Sequence, residues 1–243
     1  MHGGAPAALV AEAVQADGMF VARLTCDFLG PVPIGPLRVE ARVVRPGRRL
    51  QLVEAEVRAG DSPVIRARAV RLQRGAVDDL PAAATEAVPA VPPAEAVPSV
   101  FPFEQGEDQG FHRTAMEIRF AGGTDYGLGP ALAWFRFARP LVDGDAPSPL
   151  ARVAAAADFG NGVSRVLDFG RHLFVNTDLT IHLHREPDGE WVLLDARTVV
   201  EAHGAGLAAS RLYDERGPIG LAAQSLFVSP VPGRREAAPA PPR

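Results

Sequence analysis

One cysteine, two tryptophans and two tyrosines are spread over 243 residues, and each scarcity removes a class of explanation. Cys26 alone cannot close an internal disulfide. No apolar run approaches the ~20 residues that a membrane-crossing helix needs. The opening "MHGGAPAALV" has no basic segment leading into an apolar one, so no secretion signal is expected. Net charge is small, at -4, and the arginines scatter through strand-like runs instead of clustering. Neither nucleic acid nor a membrane is therefore an expected partner. The chain also lacks a G-x-S-x-G elbow, a phosphate loop and a G-x-G-x-x-G turn after a strand, which leaves serine-hydrolase, nucleotide-hydrolase and dehydrogenase readings without support. A cytoplasmic protein is the simplest expectation.

What is present is enough apolar material, 47%, for a sizeable core. The stretch 75–100 holds five prolines and eight alanines and reads as an extended linker between two halves. The expected organisation is a first unit over 1–74, that linker, a second unit over 101–229, and a disordered Pro-rich tail over 230–243. In the first unit an Ala-rich helix precedes strands at 21–28, 36–45, 48–59 and 63–73. In the second, "SPLARVAAAADFGNGVSRVL" predicts one helix with Ser148 as its cap and Pro149 at its first position. Strands follow near 174–184, 190–202, 205–214 and 218–228, with a turn at "DYGLGP" further upstream.

The halves overlay. "PIGPLRVEARVV" from Pro33 matches "PDGEWVLLDARTV" from Pro187 at a spacing of 154, and "SPVIRARAV" matches "GPIGLAAQS" at 155. This predicts a duplicated unit in which a curved antiparallel sheet wraps one helix. The second unit has two further strand-like runs before its helix, "HRTAMEIRF" and "ALAWFRFAR". The first has none, so its leading hairpin is expected to be missing, with sheet edge left open.

Against this pattern a few polar residues stand out. Asp158 and Asn161 interrupt an apparently buried helix, and a buried carboxylate requires hydrogen-bond partners or a cleft. Gln224 interrupts the apolar strand "IGLAAQSLFV", where it is either a site residue or an outward-facing polar one. Asn176 and Thr177 open a strand, as site residues or as a turn. His2, Gly3 and Gly4 precede the first helix, either offering free N–H groups to a developing oxyanion or simply capping it. Glu12 is a weaker candidate acid, read rather as a capped or solvated residue. His182 and His184 share a strand face but have no third ligand at a metal spacing, so no metal is expected.

The segments "HGGAPAAL", "ADFGNG", "NTDLTIHLHREPDGEWVLLDA" and "GPIGLAAQSLFV", in that order in a duplicated frame, resemble the double hotdog thioesterases, similar to bacterial type II acyl-CoA thioesterases and especially to an actinobacterial thioesterase-like branch. The resemblance implies an α+β double hotdog fold and hydrolysis of acyl-CoA, as part of fatty acid metabolism, through a positioned water and without a covalent intermediate or cofactor. Carried over, it puts the carboxylate at Asp158, the glutamine at Gln224 and the strand residue at Asn176, where better-known members have threonine. His2, Gly3, Gly4, Asn161, Gly162 and Thr177 are then candidates for substrate or oxyanion contacts, with unassigned arginines at the rim for the CoA phosphates. A non-catalytic acyl-CoA-binding module is the rival expectation. An enoyl-CoA hydratase using His172 is a more distant one, and a homo-oligomer is compatible with all three.

Overall fold

The structure is a computed structural model and describes residues 1–80, 87–99, 110–123 and 127–231. Helix α1 (Gly4–Ala13) leads into β1 (Met19–Phe28), β2 (Arg38–Arg45), β3 (Leu50–Ala59) and β4 (Ser62–Gln73). The second half comprises β5 (Val97–Pro98), α2 (Phe111–Thr114), β6 (Met116–Gly122), β7 (Ala131–Phe137), α3 (Pro149–Ala157), α4 (Gly160–Val163), β8 (His172–Asn176), β9 (Asp178–Leu183), β10 (Val192–Val200), β11 (Ala205–Asp214) and β12 (Gly217–Pro230). The strands form one antiparallel sheet ordered β2-β3-β4-β1-β9-β12-β11-β10-β7-β6-β5, with β8 added beside β12. This is the double hotdog arrangement, with α1 and α3 packed together on the inner face of the sheet.

Alternation decides which face is which. Val53, Ala55 and Val57 of β3 and Ile65, Ala67 and Ala69 of β4 are buried, while Glu54, Glu56, Arg66 and Arg68 between them point outward and pair across the strands. The helices are Ala-rich because they pack against each other as well as the sheet. Ala7, Ala8 and Ala11 of α1 and Ala151, Ala154 and Ala155 of α3 are fully buried, and Gly4 is so close to the carbonyl of Ala155 that a Cβ there would stand 2.7 Å from it.

The duplication is closer than sequence matching suggests. Val57 and Leu212 occupy the same register position, as do Ile65 and Gly220, and each pair is 155 residues apart. β2 and β10 obey the same interval, with Val39 opposite Val57 and Leu194 opposite Leu212. The spacing of 154 taken from the matched Pro, Gly and apolar positions is therefore off by one, and a one-residue slip would turn every side chain to the wrong face. Across the junction between halves, Thr25 of β1 lies opposite Thr180 of β9, again 155 residues apart, and their hydroxyls are hydrogen-bonded at 3.2 Å. A pseudo-twofold axis passes between them. It relates even the irregularities, because the register shift between Val21 and Arg23 reappears at Thr177, which splits the expected strand 174–184 into β8 and β9.

Other expectations change in detail. The predicted single helix stops at Ala157, with Asp158 as its C-cap, and resumes as α4 after Phe159. Ser148 does cap α3, accepting from the Ala151 N–H at 3.1 Å. "HRTAMEIRF" begins as the helical turn α2 before becoming β6. The described part of the Pro-rich stretch is laid onto the second half: the Trp134 indole donates to the Val91 carbonyl, Ala96 packs beside Trp134, and Val97 pairs with Phe120. Residues 125 and 126 of the predicted turn, and 232–243 of the predicted tail, lie outside the described residues. In the first half β2 is an open edge among the described residues, whereas its counterpart β10 is covered by β7. Four arginines or glutamates on β2 keep that edge soluble.

At the far end of the second half, fully buried Asp214 accepts from both Arg185 Nη atoms and from the N–H groups of Asp188, Arg216 and Gly217, tying two β-turns together. Burial pushes the Asp214 carboxyl up, but the Arg185 and backbone hydrogen bonds outweigh it and hold the carboxyl below its ordinary range. The stabilisation is thus present above the ordinary carboxylate pKa and is lost as the pH falls through the depressed value. Asp214→Asn should lower stability at neutral pH by about 2–3 kcal/mol. In urea titrations it should also flatten the acid-side loss of stability expected for wild type below about pH 4.

Candidate active site

Asp158 terminates α3 with only 3% of its surface exposed. Three distant parts of the chain converge on its carboxylate. Asn176, the last residue of β8, donates Nδ2 to Oδ1 at 2.8 Å. Gln224, on the inner face of β12, directs Nε2 to the same oxygen at 3.4 Å and to the Asp158 carbonyl at 3.2 Å. His2 places Nδ1 3.1 Å from Oδ2. The break after Asn176 lets that residue close β8 inward while Thr177 stays exposed, bonded to Ser225 and Asp178.

The glutamine is oriented from both ends. Its Oε1 accepts the Asn161 backbone N–H at 3.1 Å, so Nε2 is the end left for Asp158. Gly160 makes room for this, since a Cβ there would stand 2.9 Å from Gln224 Oε1 and 3.0 Å from Ser210 Oγ. His2 faces a choice. Nδ1 also lies 3.0 Å from the Gly4 N–H, yet it carries either one lone pair or one proton. A protonated Nδ1 serves the carboxylate, and a bare one serves the helix.

The two ends of the helix pair differ. At the Asp158 end, α1 begins at Gly3 with no side-chain cap, and a Cβ on Gly3 would stand 2.8 Å from Asp158 Oδ2. At the opposite end, Ser148 caps α3, Glu12 accepts the Ser148 N–H at 2.8 Å, and Gln15 donates to the Ser148 hydroxyl at 2.9 Å. Glu12 is thus a capping residue. The symmetry mates of Asn176 and Gln224, 155 residues earlier, are Val21 and Ala69. There the helix end is held by Arg71, which donates to the carbonyls of Val14 and Gln15 at 2.6 and 2.9 Å. One end is built around a carboxylate and the other is closed by structural bonds.

Not every candidate joins the site. Asn161 contributes its backbone, and Gly162 has open space around it. His172 begins β8, at the far end of that strand from Asn176, with Nδ1 buried and unpaired. His182 and His184 are exposed on the outer face, and no cluster of three or more metal-binding side chains occurs among the described residues. Among those residues no helix is long and apolar enough to cross a membrane. Phe159, unremarked in the sequence, stacks on the His2 ring at 4.2 Å between centroids, and Phe111 lies 5.7 Å away. These rings cover the acid, and His2, 26% exposed, stands between it and solvent. Two open cavities, of about 1010 and 400 Å³, are lined by other residues. An apolar seam lined by Phe174, Leu226 and Val228, too tight to admit a water molecule, continues along β8 and β12 from Asn176 and Gln224 on the same face.

A helix-on-sheet duplication of this kind occurs in known proteins. The N-terminal domain model of acyl-CoA thioesterases matches residues 1–72 and the C-terminal domain model matches 85–228. The chain belongs to this acyl-CoA thioesterase family. Among solved structures it is similar to a Novosphingobium aromaticivorans protein provisionally named a thioesterase, at 23% identity and TM-score 0.72, over 93% of this chain and 87% of that one. An Alicyclobacillus acidocaldarius protein of unknown function with a hot dog fold gives 20% and 0.71, over 93% and 86%. The acyl-CoA thioesterase II of Mycobacterium marinum gives 16% and 0.68, over 97% and 92%. No curated protein matches by sequence.

Cys26 lies on the inner face of β1 near this site. Burial pushes its thiol well up, and the charges of Asp158 and Asp27 add to the effect. A thiol-exchange reagent at mildly alkaline pH should therefore leave Cys26 unmodified in the folded protein and label it fully in urea.

Proposed function

We propose that the protein hydrolyses acyl-CoA thioesters to free acid and CoA, using one water held by Asp158, Asn176 and Gln224 and no covalent intermediate. The carrying observation is a nearly inaccessible carboxylate gripped by amides from two strands and approached by His2. Such a group is expensive to bury, and the symmetry-related helix end does without it, with Val14 as C-cap and Arg71 holding the last carbonyls. Asp158 takes the proton of the attacking water as its oxygen bonds to the thioester carbon. The uncapped start of α1, at Gly3 and Gly4, faces the oxyanion. The C–S bond then breaks, and the departing sulfur takes the proton back from Asp158, so that CoA leaves as its thiol and the carboxylate is restored. Substrate reaches the acid by displacing His2, and the acyl chain is accommodated by parting the closed apolar seam beyond Asn176 and Gln224. The reaction needs no prosthetic group, and we assign it to the cytoplasm.

Thiol release from a panel of acyl-CoAs tests the reading. Asp158→Ala should reduce the rate by roughly 10²–10⁴-fold, with Gln224→Ala and Asn176→Ala each costing about tenfold or more. Binding of acyl-CoA without thiol release by wild type would replace this reading with the binding module, and hydration of crotonyl-CoA with the hydratase. A separate expectation concerns Gly160→Ala. The added methyl meets the ends of the Gln224 and Ser210 side chains, so stability should fall by only about 1 kcal/mol, while hydrolysis falls about tenfold.

A further inference from the structure

One row on the inner face of the sheet differs in kind between the repeats. In the second repeat Thr198 of β10, Ala208 of β11 and Gln224 of β12 stand side by side. Their counterparts 155 residues earlier, Val43, Val53 and Ala69, share the same register and are wholly apolar. The fold therefore accepts hydrocarbon at both outer positions, and the second repeat carries a polar side chain at each. The helical turn α4 packs across these three strands, over the short side chain of Ala208.

A single peptide group of α4 joins the two polar ends. The Gly160 carbonyl accepts the Ser164 hydroxyl at 2.8 Å, and the N–H of the same peptide, that of Asn161, donates to Gln224 Oε1 at 3.1 Å. Ser164 Oγ also lies 2.8 Å from Thr198 Oγ1. A carbonyl only accepts and a hydroxyl has one proton, so the Ser164 proton is committed to Gly160 and Thr198 is the donor to Ser164. The direction of the whole chain follows: Thr198 to Ser164, Ser164 to the Gly160 carbonyl, the Asn161 N–H to Gln224, and Gln224 Nε2 to Asp158 Oδ1. The turn has little stiffness of its own, being four residues long with glycine at two of them. Its own bond from the Ser164 N–H to that carbonyl is the longer one, at 3.2 Å. We infer that Thr198 and Ser164 are positioning residues for the hydrolysis proposed above: through the Gly160–Asn161 peptide they hold Gln224 with its amide nitrogen toward Asp158. The effect on rate rests on that proposed function, whereas the hydrogen-bond chain does not. Bonds in such a chain polarise one another, so losing the first weakens the last.

Thr198→Val keeps the shape of the side chain and installs the residue type that the first repeat has at this position. With acyl-CoA as substrate, Thr198→Val and Ser164→Ala should each lower kcat roughly three- to tenfold and leave KM unchanged, since the water is misplaced and substrate binding is not touched. Thr198→Ser should keep wild-type kcat. In a Gln224→Ala background Thr198→Val should have no further effect, because the chain then has nothing to orient. An equal fall in that background overturns the inference, as does a Thr198→Ser variant no better than Thr198→Val. Nitrogen-15 NMR of the full chain reads the same bonds without turnover. The Asn161 N–H and Gln224 side-chain NH2 resonances should both move in Thr198→Val and return in Thr198→Ser. A Gln224 resonance that stays in place while Asn161 moves means that the chain ends at α4, and overturns the inference. A wild type that releases no thiol defeats the proposed hydrolysis instead, and the resonances still decide whether these hydroxyls orient Gln224.

Discussion

The pairing of β1 with β9 at Thr25 and Thr180 is the constraint from which the rest follows. It makes one sheet of two repeats and sets them head to tail about an axis. The axis turns α1 and α3 antiparallel, so the start of one helix is brought against the end of the other. At one end this puts His2, Gly3 and Gly4 beside Asp158. At the other it puts Glu12 and Gln15 beside Ser148. Neither juxtaposition exists within a single repeat.

Because the repeats are covalently joined, the two ends are free to diverge. The Ser148 end satisfies its helix termini completely, with a cap below and Arg71 on the carbonyls above. The Asp158 end leaves α1 uncapped and spends its polar side chains on a buried charge. The same fold position holds Ala69 in one repeat and Gln224 in the other, and the difference is chemical, not architectural.

Much of the fold was legible, because alternation and turn residues are local signals. All four strands of the first half were located to within a few residues, and Ser148 announced the start of α3 correctly. The end of that helix was not legible. An Ala-rich run with an acid in it reads as continuous, and only the Gln224 amide arriving from β12, far along the chain, shows that Asp158 caps it. The interval of 154 failed for a related reason: the turn Pro and Gly can slide by a residue and carry the apolar match with them, while registers are held by hydrogen bonds across strands. The importance of Asp158 and Gln224 could be suspected from their misfit with apolar surroundings. That of Gly160 and Phe159 could not, since each matters only through a neighbour that folding supplies.

The enclosure of the acid has a temporal corollary. A carboxylate roofed by the rings of His2, Phe159 and Phe111 is reached only when the roof parts, so in the proposed hydrolysis the first residues of the chain serve as a latch. In that reaction the frequency of the parting bounds how often a substrate finds the door open.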